Sequence, residues 1–467
     1  MKTVLRTLAV SLILTAASIL PINAQTAPET GFLTASQRID PLRFLPSPPD
    51  SADLRSAGDL SASARAVRCL KDNPARAYAA EAEARMDRKE LIQYFSAAAS
   101  LYLTEKETPE TFRLLTRVLD DGRSSTVTSR DRIARKNPCF RTARKQPVAT
   151  ADTALYCYPS PEITDAYLLV QVLSQLQPAA IVPLMALARS YAEGRVLERL
   201  QWESDIHASV LVAAAVFARL QSSESYLAGL DKARTELSER IIPVPRHLSK
   251  KPDRFLDGDD MPDGSRFIPA PPEFMSEAFL ADYAWYFWGK EQRKDPSRAK
   301  AAMEDYLLGD VDSMNTRFNA CLPVLITPQR TPLTYRFIFR TANDSKKMNT
   351  KAKYYFHRTR PFVMFGEASI SPGHDDLMSK TLSYPSGHSI RGYACAYAFA
   401  LLFPERTEAI MARAIGIADN RVVCGHHYKS DTEQSLPTAM AAILRLLAEP
   451  EFQHSLTEAR AELQKRN

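Results

Sequence analysis

The chain has 467 residues, more than one hydrophobic core ordinarily serves, so two or three domains are expected. Its composition is globular, 45% hydrophobic and 24% charged, and with only 15 Gly it is not built around glycine-rich phosphate loops. The formal charge of +6 drops to +4 without residues 1–24, which hold Lys2, Arg6 and no acid; with no long Lys/Arg run, no nucleic-acid partner is expected.

Lys2 and Arg6 precede an apolar run from Leu8 to Leu20, and Ala24 precedes Gln25. This pattern predicts a secretory signal over residues 1–24 and hence a periplasmic protein. The run is short for a bilayer span of about 20 residues, and no later segment is apolar enough, so no stable membrane span is expected. Six Cys follow, at 69, 139, 157, 321, 395 and 424. Export permits disulfides, but spacing does not set their pairing, and there is no CxxC.

The chain repeats itself. FLPSPP at 44–49 returns as FIPAPP at 267–272, and TPETF at 108–112 as TPLTY at 331–335, both displaced by 223. Phe95, Arg113 and Arg117 fall on Phe318, Arg336 and Arg340 at the same displacement. Beyond that the displacement is 226: YPSPE at 158–162 matches YPSGH at 384–388, RVLERLQWESD at 195–205 matches RVVCGHHYKSD at 421–431, and ARTEL at 233–237 matches ARAEL at 459–463. Chance matches would not hold one displacement over so many positions. A tandem duplication is expected, with copies at 25–245 and 246–467 and a boundary in the Pro- and Lys-bearing stretch 242–253.

Strand-like alternation is scarce. LVQVLSQL and ASVLVAAAVFARLQ in the first copy are apolar or periodic at helical spacing, as are GYACAYAFALL, ERTEAIMARAIGIAD and DTEQSLPTAMAAILRLLAE in the second. The expected fold class is all-α, a helical bundle in each copy.

Three segments of the second copy gather chemistry: KYYFHRTRPF with Lys353 and Arg360, YPSGHS with Ser386, Gly387 and His388, and NRVVCGHHYKSD with Arg421, His427 and Asp431. Three cations, a hydroxyl, an unhindered N–H and a helix N-terminus suit a tetrahedral oxyanion. With Asp431 accepting from one ring nitrogen of His427, the other is a nucleophile, and His388 is a candidate general acid. A metal site at His388, His426 and His427 is disfavoured by the neighbouring cations. His357, Arg358 and His426 lie inside the segments as neighbours, and Tyr158 and Tyr384 are expected to pack.

These segments resemble the type 2 phosphatidic acid phosphatase superfamily. Its pattern, K-x6-RP, PSGH and SR-x5-H-x3-D, is met by Lys353-x6-Arg360-Pro361, Pro385 to His388 and Arg421-x5-His427-x3-Asp431, with Asn420 in place of the usual Ser. The wording is similar to bacterial class A non-specific acid phosphatases, over nearly all of 255–467. The resemblance implies the helical fold of acid phosphatases and vanadium haloperoxidases and metal-independent hydrolysis of small phosphomonoesters at acid pH. It also implies a phosphohistidine at His427, with Asp431 and His388 catalytic and no cofactor. Lys353, Arg360, Ser386, Gly387 and Arg421 would bind the phosphoryl group. Subunits often pair in such enzymes, so a homo-oligomer or an internal pseudo-dimer of the copies is expected. A vanadium-dependent haloperoxidase and a non-catalytic scaffold are the competing readings.

In the first copy Arg130 replaces Lys353 and Asn137 replaces Arg360, while Pro161, Glu162 and Gln201 stand for Gly387, His388 and His427. Ser160, Arg195 and Asp205 persist. Loss of nucleophile, acid, one arginine and one N–H predicts an inactive domain.

Overall fold

The structure is a computed structural model that describes residues 31–50, 53–141, 155–244, 251–307 and 311–465. The predicted signal at 1–24 lies outside them. Among the described residues the regular structure consists of twenty α-helices and short 3-10 turns. The first nine are α1 (Ala57–Asp72), α2 (Pro74–Arg85), α3 (Arg88–Ala98), α4 (Pro109–Ile133), α5 (Pro138–Arg141), α6 (Pro161–Leu176), α7 (Ile181–Leu197), α8 (Glu203–Leu220) and α9 (Glu224–Glu236). The remainder are α10 (Leu280–Gln292), α11 (Pro296–Tyr306), α12 (Val311–Phe318), α13 (Pro332–Phe356), α14 (Pro361–Met364), α15 (Asp375–Ser379), α16 (Gly387–Leu402), α17 (Thr407–Val423), α18 (Lys429–Glu433), α19 (Ser435–Leu447) and α20 (Pro450–Gln464). Among the described residues there is no sheet, only one isolated bridge between Lys136 and Tyr156, and the fold is all-α.

The second set of helices follows the first. α10, α12, α13 and α14 start 223 residues after α1, α3, α4 and α5; α16, α17, α18 and α20 start 226 residues after α6, α7, α8 and α9. The ties between elements recur as well. Asp121 accepts the Phe32 N–H at 2.7 Å, and Asp344 the Phe255 N–H at 2.9 Å. Glu236 receives Thr111 Oγ1 at 2.6 Å, and Glu462 receives Thr334 Oγ1 at 2.8 Å, each tying a long helix to the last one of its set. Tyr158 and Tyr384, buried as expected, each donate to a proline carbonyl, of Pro46 and Pro269, at 2.6 Å. Ala134 and His357 end α4 and α13 in the left-handed region, at φ 52° and 50°.

One difference from the sequence reading is local. DTEQSLPTAMAAILRLLAE is not one helix but two, broken at Gln434 between α18 and α19. Pro437 lacks the N–H that would bond back to Glu433, so the helix restarts.

The apolar faces of both sets meet in one core, and the residues from Gly31 onward form one unit. α8 packs on α16 and α17, and α19 reciprocally on α6 and α7. This is the signature of an isologous contact. At its centre the Tyr397 hydroxyl donates to Gln171 Oε1 at 3.0 Å, between positions 226 apart. Arg219 pairs with Glu408 at 3.2 Å across the same boundary. A cleft of about 490 Å³ between the sets is lined by Gln175, Gln221 and Arg234 facing Leu447 and Gln453; it holds none of the candidate site residues. Among the described residues no single helix is long and apolar enough to cross a membrane. Among the described residues no disulfide is seen, and Cys69, Cys157, Cys321, Cys395 and Cys424 are free thiols.

Candidate active site

The fold brings the three segments of the second copy to one place. Lys353 lies in the last turn of α13, and Arg360 is the N-cap of α14. Ser386 and Gly387 open α16, Arg421 lies in the last turn of α17, and Asp431 is in the first turn of α18. Helix ends converge here, so polar backbone groups and charges face one another in an otherwise apolar core.

His427 is fully defined by its partners. Its Nδ1 lies 3.2 Å from Asp431 Oδ2, and its Nε2 lies 3.1 Å from Arg360 Nη1. A guanidinium only donates, so Nε2 must accept, and the ring proton sits on Nδ1 against the carboxylate. The lone pair a nucleophile needs is therefore on Nε2. Asp431 is held in turn. Its Oδ2 accepts the Tyr428 N–H at 2.9 Å, and its Oδ1 accepts Arg358 Nη1 at 2.6 Å. Arg358 reaches on to Asp282 at 2.6 Å and Ser430 Oγ at 2.8 Å, and Asp282 receives the Ser430 N–H at 2.9 Å. Arg358 lies over the Tyr428 ring at 4.0 Å.

Around this imidazole sits a surplus of positive charge. Arg421 is fully buried, and among the described residues none of its three guanidinium nitrogens has a hydrogen-bond partner; the Tyr306 ring lies 5.3 Å away. Burial pulls its pKa down. Burial, then Arg421, takes Arg360 down to about 9, and burial, then Arg360, takes Lys353 down to about 7. Lys353 Nζ donates to the Leu382 carbonyl, and Arg360 Nε to Thr381 Oγ1 at 2.9 Å, so the segment before α16 helps seat both. Burial and the same cations hold His388 and His427 well below the usual imidazole range. His388 Nε2 is buried without a partner. A buried, unpaired guanidinium is costly unless an anion arrives to pair it.

Ser386 Oγ accepts the Ser389 N–H at 3.4 Å and its hydroxyl at 3.0 Å, capping α16. A side chain on Gly387 would place its Cβ 2.3 Å from Asn349 Nδ2, so any larger residue here would have to displace the Asn349 amide. His426 is buried, its ring tilted against Tyr306 at 4.6 Å between centroids, and burial pushes its pKa down to about 2. His357 is exposed. Asn420 binds Asp305 at 2.6 Å and Arg298, fixing α17 to α11. Arg358, ranked in the sequence as a neighbour, and Asp282, not singled out at all, prove to be part of the support. The repeat carried their signal: Asp59, Arg135 and Ser204 match Asp282, Arg358 and Ser430 at displacements of 223, 223 and 226.

The first copy keeps this support and fills its own centre. Arg135 bridges Asp59, at 2.6 Å, and Asp205, and Asp205 accepts the Trp202 N–H at 2.8 Å. Arg195 is not left bare: its Nε donates to Gln201 Oε1 at 2.8 Å, and its Nη2 lies 3.4 Å from Glu162. Glu162 also accepts from Ser160 Oγ at 2.9 Å. Burial opposes its charge, yet Arg195 and these bonds hold its carboxyl below the usual range. A carboxylate of the chain thus lies against Arg195, whereas among the described residues none is hydrogen-bonded to Arg421.

Residues 337–449 match the family model of the PAP2 superfamily. A non-specific acid phosphatase of Providencia stuartii is 32% identical over 227 residues, 48% of this chain and 90% of that protein. The non-specific acid phosphatase of Salmonella typhimurium is 32% identical over 202 residues, 43% of this chain and 80% of its own length. A lipid A 1-phosphatase of Rhizobium johnstonii is 39% identical over 99 residues, 20% of this chain and 39% of that protein.

Proposed function

Because the chain belongs to the PAP2 superfamily, we propose that its second copy is an acid phosphatase, hydrolysing phosphate monoesters through a phosphohistidine at His427. The single observation that carries this reading is Arg421: a buried guanidinium without a partner, beside a histidine whose Nε2 lone pair is fixed. The names borne by the relatives from Providencia and Salmonella support the same reaction.

A phosphomonoester dianion enters between Arg360, Arg421 and Lys353, with Ser386 O–H and Gly387 N–H as further donors to its oxygens. Arg360 Nη1 moves from His427 Nε2 to a phosphoryl oxygen. Nε2 attacks phosphorus, the bond from phosphorus to the ester oxygen breaks, and His388 gives that oxygen its proton. Asp431 steadies the positive charge that forms on the ring. Water then attacks the phosphohistidine, His388 takes its proton, the P–N bond breaks, and phosphate leaves.

The decisive assay is phosphate release from p-nitrophenyl phosphate and a panel of monoesters, with EDTA and vanadate as controls. Vanadate should inhibit and EDTA should not. Halide oxidation by peroxide in the presence of vanadate, without phosphate release, would overturn the proposal.

The charge balance gives a pH prediction. Lys353, taken down to about 7 by burial and by Arg360 and Arg421 against the opposing pull of Asp431, sheds its proton far more readily than an ordinary lysine. A bound anion restores its usual affinity for a proton, and that of His388, so anion binding takes up protons. Affinity is therefore highest at acid pH and weakens as pH rises through about 7. Binding of sulfate, which has no titrating proton of its own there, should be accompanied by net proton uptake near pH 7, seen by calorimetry in buffers of different ionisation enthalpy. No uptake, or net release, would contradict the arrangement.

The first copy, residues 25–245, is proposed to be inactive. Gln201→His in the full chain in which His427 is Ala should restore no phosphate release, because Pro161 and Glu162 still exclude the phosphoryl group. Export is proposed from the sequence pattern of residues 1–24 alone; a mature N-terminus at Gln25 would support it, and an intact Met1 on cell-surface fractionation would not.

A further inference from the structure

The brace on Asp431 raises a question, since the first copy keeps the same brace without a histidine to orient. Its position supplies a reason. Asp59 lies on α1 and Asp282 on α10, and these two helices cross each other at the boundary between the copies. At the crossing a Cβ on Gly58 would sit 2.5 Å from the Cβ of Ala281, and each of these residues directly precedes its brace carboxylate. Gly58 and Ala281 are themselves 223 apart, so equivalent points of the two copies touch.

α10 in turn reaches the catalytic centre twice. Asp282 holds Arg358, and through it Asp431. Further along the helix, a side chain on Gly289 would put its Cβ 2.7 Å from the Val422 carbonyl, one residue past Arg421, so α10 lies flat on the end of α17. The first copy grips the helix between these points. Arg55, itself held by Asp53 at 2.7 Å, lies over the Trp285 ring at 5.0 Å and the Trp288 ring at 6.0 Å. Lys429 of α18 lies over the same Trp285 ring at 4.5 Å. Trp285 thus links a first-copy cation to the short helix that bears Asp431.

We propose that the first copy is a buttress for the second copy's catalytic centre: α1 and Arg55 seat α10, and α10 holds His427 in line through Asp282, Arg358 and Asp431. The brace persists around Asp205 because it seats α1 at Asp59 and hence the crossing. This rests on the reading of residues 353–431 as a phosphatase centre, but the test separates the two.

Two full-chain variants test it: Gly58→Leu, which forces the crossing apart, and Arg55→Ala, which removes the grip on Trp285 with less risk to folding. Neither residue belongs to the second copy. Both are expected to lower kcat for p-nitrophenyl phosphate, about tenfold and about threefold, with KM changing less than kcat, because Lys353 and Arg360 are seated by the segment before α16 while the nucleophile loses its alignment. Hydrogen exchange should quicken at the Tyr428 and Ser430 amides, which donate to Asp431 and Asp282, and not in α13 or α20. If Gly58→Leu fails to fold, Arg55→Ala decides. Wild-type kcat together with unchanged exchange at those two amides would overturn the buttress. If the wild-type chain releases no phosphate, the phosphatase reading fails alone, and the exchange rates still decide the mechanical link.

Discussion

His427→Ala should lower kcat for p-nitrophenyl phosphate by on the order of 10⁴-fold or more, with no loss of sulfate affinity beyond about threefold. The two halves of this result have separate causes. Nε2 is the one imidazole lone pair fixed against the cation cluster, because Asp431 holds the ring proton on Nδ1. On the proposed route no covalent phosphoenzyme can form without it, so acid-quenched enzyme should carry no labelled phosphate where the wild type carries some. The cations that bind the anion are seated independently: Arg360 by Thr381 and the His426 carbonyl, Lys353 by the Leu382 carbonyl. Asp431 keeps Arg358 and the Tyr428 N–H, so the fold survives. Added imidazole should recover part of the activity by filling the space left. Retention of more than a few per cent of wild-type kcat would remove His427 from the reaction.

Arg421→Met should act on activity and stability in opposite directions. Activity falls by roughly 10³-fold, since the variant loses a buried charge that meets the developing charge on the phosphoryl oxygens. The protein without ligand becomes more stable by about 1–3 kcal/mol, because an unpaired, fully buried guanidinium is exchanged for an apolar chain of similar length. Sulfate should raise the melting temperature of the wild type and not that of the variant. The equivalent change in the first copy has the reverse sign. Arg195→Met strands the half-buried carboxylate of Glu162 and should destabilise by about 1–3 kcal/mol while barely changing substrate binding. Denaturant unfolding of both variants reads the contrast; two destabilisations of similar size would refute the idea that Arg421 waits for an anion.

How much of this was legible in the sequence depends on the distance over which each contact is written. The motif residues were visible because their spacing is set by helix ends: four residues from His427 to Asp431 carry the ring nitrogen to the carboxylate at the start of α18. The all-α class followed from apolar periodicity, and α16 and α17 lie where that periodicity put them. Arg358 drew little notice because it sits between motif positions, and its meaning lies in Asp282, 76 residues away. Asn349 was invisible for a similar reason: nothing in α13's pattern announces that its amide presses on Gly387. The break at Gln434 was misjudged because Pro437 falls within three residues of the new helix start, where proline is tolerated.

The self-filled centre of the first copy also fixes the chain's response to its environment. A protein with two working sites would gain stability twice as ligand accumulates, and each half would loosen when phosphate is scarce. Here one half is constitutively liganded, since Glu162 is present at an effective concentration no solute can rival. On the proposed reading α1, and whatever leans on it, should therefore not firm up on addition of phosphate, and the chain should take up one equivalent of vanadate rather than two.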